Sequence, residues 1–255
     1  MKVEERRETL HRLLQQNGYK SVGALAQELG CSISTVRRDL VELAACGLLY
    51  RTHGGALALA GYSTSHEPTL LEKQRLMVEE KRRIGRAAAD LVHPGETVVL
   101  DSGSTTWQVG QELKARTPLT VVTNDIKILW DLASTPDLTL ISAGGFLRPS
   151  VYTLLGSETV RFLESLTVNW TFLGADAVDL QAGITNVNLE EVAVKQAMIR
   201  AGRRTVLVTD HTKFGKTVFA RVCELTRLDR IVTDAGLPST LAQEVRAAGI
   251  SLQLV

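Results

Sequence analysis

Two short stretches carry residue types suited to holding anions. The first, Asp101-Ser-Gly-Ser-Thr-Thr106, follows the apolar run Val98-Val-Leu100 and opens a helical pattern. A turn of small residues there leaves backbone N–H groups facing outward at the positive end of a helix. Gly103 permits the turn, and the hydroxyls of Ser102, Ser104, Thr105 and Thr106 add donors. The spacing is neither a Walker A loop nor Gly-x-Gly-x-x-Gly, and a capped helix after a tight turn has the same look. The second stretch, Ser32 to Arg38, sets Ser32, Ser34, Thr35, Arg37 and Arg38 on the outside of the first two turns of a helix whose Val36 and Leu40 face inward. Guanidinium forks suit phosphates or guanine edges, and the hydroxyls suit either. A solvated helix face carries the same pattern. Arg51 and His53, on a predicted hairpin, would touch backbone or an adjacent groove as a wing does.

Further polar residues cluster where apolar runs end: Thr123-Asn124, Gly144-Gly145, Gly174-Ala-Asp176 and Thr209-Asp210. In an open α/β sheet, ligands sit beyond the carboxyl ends of the strands. Lys195 and Lys213 are the cations best placed for an anionic ligand, and Asp176, Glu190 and Glu191 suit hydroxyls. Asn188 with Glu191 also fits a capping box.

These groups need a scaffold. Residues 1–56 read as three short helices and a hairpin: Leu10, Leu13 and Leu14 stripe the first helix, and Val22, Leu25, Ala26 and Leu29 the second. Ser32 is the expected N-cap of the third, and Gly47 its stop. Gly61 to Pro68 is small and polar, a linker. A charged helix is expected over roughly 69–92, its Leu70, Met77, Ile84, Ala88 and Leu91 free to face a partner. Beyond it, β-rich runs (97–100, 119–122, 138–141, 170–173, 205–208, 230–232, 251–254) alternate with helical patterns (105–115, 125–134, 156–165, 188–201, 238–248). That alternation predicts an α/β body, a mostly parallel sheet with helices on both faces. The expected division is 1–57 DNA-binding-like head, 58–80 linker and start of a connecting helix, and 81–255 α/β body, which the resemblance given below makes the effector-binding domain.

Composition fits such a chain. Of its 255 residues 44% are hydrophobic and the formal net charge is +1, so any affinity for nucleic acid must come from where the charges sit. Three separated cysteines and scattered histidines argue against disulfides and metal, and no apolar run is long enough to span a membrane. A charged N-terminus without an apolar stretch reads as cytoplasmic. Cys46 and Cys223 read as core residues; Trp107, Trp130 and Trp170 read as packing.

The string from Val22 to Leu40, ending Thr35-Val-Arg-Arg-Asp-Leu40, and then Arg51-Thr-His-Gly-Gly-Ala56, resembles the DeoR family of bacterial transcription regulators, with Cys31 where many relatives have Val. In the body Asp101-Ser-Gly-Ser-Thr-Thr106, Val122-Thr-Asn124, Gly144-Gly145, Leu173-Gly-Ala-Asp176, Gly183-Ile-Thr185 and Asp210-x-x-Lys-Phe214 resemble that family's sensor domain in order. The resemblance spans roughly 3–234. It implies a winged helix-turn-helix head reading double-stranded operator DNA through Arg37, Arg38 and the hydroxyls before them, with Asp39 orienting an arginine. It implies a body similar in fold to ribose-phosphate isomerases and CoA transferases that binds a phosphorylated sugar, with Arg148, Tyr152 and residues 188–191 tailoring the choice. The expected protein is a homodimer or tetramer with no cofactor and no metal, a repressor of carbohydrate uptake or catabolism genes. The sequence leaves open an activator, a corepressed repressor, and a sugar-phosphate isomerase that would use the same carboxylates and lysines for acid/base chemistry.

Overall fold

The computed structural model describes residues 3–17, 19–45, 49–51, 54–58 and 69–255. The chain divides into two compact units, 1–68 and 69–255.

The first unit contains α1 (Val3–Asn17), β1 (Tyr19–Ser21), α2 (Val22–Leu29), α3 (Ile33–Ala45), β2 (Leu49–Arg51) and β3 (Gly55–Ala58). The three helices and the β2–β3 hairpin are those the apolar periods predict; β1 is additional. It pairs with β3, giving a three-stranded sheet ordered β1-β3-β2. Leu10, Leu14, Leu25, Val36, Leu40 and Leu49 form the unit's core, and the partly buried Cys31 packs against it. Ser21 caps α2 through the Ala24 amide, and Ser32 caps α3 through that of Thr35 (3.1 Å). Cys46, Gly47, His53 and the linker 61–68 lie outside the described residues.

Asp39 orients arginines, as expected, and they are arginines of α1. It is 2% exposed and accepts from Arg6 Nε (2.6 Å) and Arg7 Nε (3.1 Å), both on α1. The arginines it orients are therefore those that tie α1 to α3. Burial pushes its carboxyl up, but the bonds from Arg6 and Arg7 outweigh this and hold it below the usual range. That contribution to stability is present above about pH 4 and is lost as pH falls through the lowered pKa. Asp39→Asn should speed amide hydrogen exchange in α1 about tenfold or more at neutral pH, from weakened charge-assisted bonds. Unchanged exchange there would remove Asp39 from the packing of α1.

The second unit opens with α4 (Leu70–Gln74) and α5 (Val78–Ala89). One continuous helix was expected over this stretch. The break comes at Met77, whose φ is 52°. The Lys81 ammonium turns back to donate to the carbonyls of Lys73 (2.6 Å) and Leu76 (2.8 Å) at the end of α4. Leu70, Ile84 and Ala88 are buried inside the unit and are not a partner-facing stripe.

There follow β4 (Thr97–Leu100), α6 (Ser104–Leu113), β5 (Leu119–Thr123), α7 (Ile126–Leu132), β6 (Leu138–Ser142), β7 (Phe146–Arg148), β8 (Thr153–Leu155), α8 (Ser157–Glu164), β9 (Val168–Leu173), β10 (Ala177–Asp179), β11 (Gly183–Asn186), α9 (Leu189–Ala201), β12 (Gly202–Val208), β13 (Ala220–Cys223), β14 (Arg230–Thr233), α10 (Ser239–Ala247) and β15 (Ser251–Leu254). All the β-rich runs of the sequence enter one seven-stranded sheet, ordered β15-β14-β12-β9-β4-β5-β6. Every pair in it is parallel. Because successive side chains point to opposite faces, Val99 joins a core with residues of α8, α9 and α10. Its neighbours Val98 and Leu100 join a second core with residues of α5, α6 and α7. Helices thus cover both faces, as a parallel sheet requires. The β7–β8 hairpin and the antiparallel sheet β10-β11-β13 are attached beside it.

Trp170 is buried, as packing predicts, but Trp130 is 79% exposed. Position 130 lies on the outer face of α7, whose inward positions are Ile128 and Leu132.

Candidate functional site

In the first unit, Arg37 and Arg38 are exposed while Val36, Asp39 and Leu40 are buried. The burial of the inward face fixes which face of α3 is free, so the two guanidiniums stand on its outer side. Ser32 Oγ lies 2.8 Å from both Ser34 Oγ and Thr35 Oγ1, which gathers the three hydroxyls at the start of α3. The exposed Ile33 adds an apolar surface beside them. Arg51 ends β2; His53 lies outside the described residues. Helix, turn and helix with an arginine-bearing outer face form the arrangement that enters a DNA major groove.

In the second unit the strand order itself locates a site. Counted along the chain, the sheet runs third, second, first, fourth, fifth, sixth, seventh. The order reverses between β4 and β9, and ligands of doubly wound sheets bind beyond the carboxyl ends at this point. Asp101 follows β4 and Gly174 follows β9. The Gly174 amide donates to Asp101 Oδ2 (2.9 Å), and Lys195 Nζ donates to the same oxygen and to the Gly174 carbonyl (3.1 Å). Burial pulls the Lys195 ammonium down, but Asp101 and then Glu191 outweigh it and hold the pKa above its ordinary value. Asp101 and Lys195 therefore bind each other and tie together the ends of β4 and β9.

In the turn that follows, Ser102 and Gly103 are half-buried, and Ser104, Thr105 and Thr106 after them are buried. Gly103 (φ 145°, a conformation glycine alone adopts easily) is the N-cap of α6, and no side chain caps that helix. Thr106 Oγ1 folds back to the Gly103 carbonyl (3.0 Å), and Ser102 Oγ accepts from Thr153 (2.7 Å). Asp125 is a residue the sequence reading missed. It caps α7 through the amides of Lys127 and Ile128 and also takes the Gly103 amide (3.2 Å). Burial pushes its carboxyl up to about 6 against those three amides, with Asp101 adding to the rise. An Asp directly after a Thr-Asn strand end, opening a helical pattern, is an N-cap signal that could have found it.

The remaining predicted residues divide by position. Thr123 is fully buried and its Oγ1 accepts from Asp125 N. Asn124 is buried, donating to the Leu154 carbonyl (3.2 Å), with its Oδ1 lacking a partner. Gly144 and Gly145 follow β6; a side chain at Gly145 would overlap Thr159 Oγ1 and the Leu155 carbonyl, so only glycine fits. Tyr152 is 38% exposed beside the crevice residue Thr153. Arg148 on β7 pairs with Glu191 on α9 (2.8 Å), whose other oxygen accepts from Asn186 (2.6 Å). Asn188 caps α9 through the amides of Glu190 and Glu191, but the Glu191 side chain is turned to Arg148 and Asn186, so the expected capping box is only half formed. Asp176 is buried, accepting from the Val187 amide (3.1 Å) and pairing with Lys73 of α4 (3.2 Å). Burial and the nearby Lys216 ammonium push Lys213 down to about 7. No group of His, Cys, Asp and Glu among the described residues could hold a metal ion, and no described helix is long and apolar enough to cross a membrane.

Residues 76–235 match the model of the DeoR C terminal sensor domain, and residues 6–60 match that of the DeoR-like helix-turn-helix domain. The chain belongs to the DeoR family. It is thus a DeoR-family transcriptional regulator, with a helix-turn-helix head and an α/β sensor. It is 32% identical over all of its length to the full glycerol-3-phosphate regulon repressor of Escherichia coli K12. It is also 32% identical to the HTH-type transcriptional regulator GlpR of Haloferax volcanii, covering 97% of this chain and 96% of that one. Among solved structures, ribose 5-phosphate isomerase A of Methanocaldococcus jannaschii aligns with a TM-score of 0.41 and 16% identity over 54% of this chain and 55% of that chain. That likeness is too distant to bear on the activity of a DeoR-family chain.

Proposed function

We propose that this DeoR-family regulator is a cytoplasmic repressor of carbohydrate uptake or catabolism genes, released from its operator by a phosphorylated sugar bound in the sensor domain. The observation that carries the reading is the uncapped start of α6 at the switch point of the sheet. Its amides and the hydroxyls of Ser104 and Thr105 suit a phosphate. Ser102, Gly103, Gly144, Gly145, Arg148, Tyr152 and Lys213 complete the contact set, while Asp101, Thr106, Thr123, Asn124, Asp176 and Glu191 shape it from behind. On α3, Ser32, Ser34, Thr35, Arg37 and Arg38 read operator DNA, with Arg51 and His53 from the wing. The protein binds and switches as a homo-oligomer, and catalyses no reaction. A coupling of about 1–3 kcal/mol between the sites weakens DNA binding roughly 5–150-fold.

The test is fluorescence anisotropy on duplex DNA flanking the protein's own gene, at fixed salt, with a panel of sugar phosphates and their free sugars. Release by one phosphosugar and not by its free sugar supports the reading; turnover of a pentose phosphate, or no specific DNA binding under any condition, overturns it.

Lys213 adds a prediction. With its pKa near 7 it is largely neutral at pH 8, and an arriving dianion restores its charge. Sugar-phosphate binding at pH 8 should therefore take up protons, seen in calorimetry as a heat that varies with the ionisation enthalpy of the buffer. A buffer-independent heat would place the phosphate away from Lys213.

A further inference from the structure

The short helix α4 is held at three points, and two of them lie on the crevice. At its start Thr69 and Glu72 form a reciprocal cap, and the Leu70 amide donates to the Ser150 carbonyl (3.2 Å). Ser150 belongs to the loop joining β7 and β8; β8 in turn binds the residue after β5 by the Leu154 amide on the Asn124 carbonyl (2.7 Å) and reaches Ser102 through Thr153. In its middle, Lys73 pairs with Asp176, two residues beyond the Gly174 that marks the end of β9. At its end the buried Lys81 holds the carbonyls of Lys73 and Leu76. The helix is therefore tied to the β7–β8 loop and to the segment after β9, and it packs against α6, whose first turn is the phosphate site proposed above. Gln74, next to Lys73, buries an amide nitrogen that has no acceptor.

We propose that α4 is a strap across the effector crevice and that Lys73 is an effector contact, drawn from Asp176 to the phosphate when it binds. The inference rests on the sugar-phosphate reading above and adds to it the residue that senses the ligand. The chemistry is a competition between anions. Asp176 offers Lys73 one carboxylate charge, already shared with the field of Lys195 and the Val187 amide. A phosphate near neutral pH carries a charge approaching two and several acceptor oxygens. Lysine, a point charge on a flexible four-carbon stem, can change partners where a bidentate arginine would not. Once Lys73 leaves Asp176, the strap loses its tie to the end of β9, and α4 is the first element of the sensor unit after Pro68.

The experiment uses the full chain and inorganic phosphate as the probe, with calorimetry for affinity and hydrogen exchange for the α4 amides. In the wild type, phosphate should bind and speed exchange in α4 about fivefold or more. Asp176→Asn should tighten phosphate binding by removing the competitor, and Lys73→Met should weaken it. The double variant separates competition from a general field effect: the gain from Asp176→Asn should vanish in the Lys73→Met background, since coupled residues are not additive. Unchanged α4 exchange in phosphate-bound wild type overturns the strap and leaves the sugar-phosphate reading standing; so does a gain that persists without Lys73. Absence of phosphate binding to the wild type overturns the anion site at α6 and the strap with it.

Discussion

Arg37→Ala with Arg38→Ala is expected to abolish specific operator binding while leaving sugar-phosphate binding at its wild-type value. Each arginine that reaches a base edge or phosphate is worth about 1–3 kcal/mol, so together they should weaken operator binding on the order of a hundredfold or more. Both side chains are exposed on α3 while Val36, Leu40 and Leu43 bury its other face, so the double variant removes charge without touching the core. Anisotropy against operator and scrambled duplexes distinguishes the roles. Loss on the operator alone marks base reading, and an equal loss on both, with a shallower salt slope, marks phosphate contact. Retention of full operator affinity would mean that another face of the head meets DNA.

Lys195→Met is expected to give the largest loss of stability in the sensor. The ammonium is 4% exposed and lies against Asp101 at 1%. Removing one partner of a buried pair leaves the other charge uncompensated, at a cost of about 3–5 kcal/mol. For a unit of this size that is a fall in melting temperature of roughly 10 °C. Adding Asp101→Asn should recover most of it, because a neutral amide can still accept from the Gly174 amide and no isolated charge remains. Scanning calorimetry of the single and double variants tests this; a loss under about 1 kcal/mol in Lys195→Met would show that the pair does not hold the two strand ends together.

The sheet was legible because its inner strands are β-rich runs largely buried on both faces and bounded by polar or glycine residues, while the half-buried edge strands Leu138–Ser142 and Ser251–Leu254 keep the same alternation with helical patterns. The helices between them were legible because their inward stripes keep a helical period. The short antiparallel pieces were not. Strands such as Ala177–Asp179 and Ala220–Cys223, at 3 and 4 residues, are too brief for alternation to be read. The interruption at Met77 was hidden because Leu70, Ile84 and Ala88 keep the spacing of one helix, while the Lys81 ammonium bonds the carbonyls of Lys73 and Leu76 across it. The crevice was legible as a set of strand ends. The division of labour within it was not: the partner of Asp101 lies 94 residues away and that of Asp176 lies 103 residues away, separations no local pattern spans. Asp39 shows the same limit on a smaller scale, since its arginines sit on another helix.

The reversal of strand order has a kinetic consequence. On one side of the seam stand β4, β5 and β6, near one another in sequence; on the other stand β9, β12, β14 and β15. As the chain leaves the ribosome, the first group can associate long before the second exists, and it then presents β4 as an open edge. Edges of that kind pair with whatever strand is at hand. Joining the halves requires closing the long loop between β4 and β9, which makes the step slow. A ligand seated on the seam favours the joined form by mass action. A metabolite that binds there would then also raise the yield of folded chain, so that cells rich in it hold more of the protein.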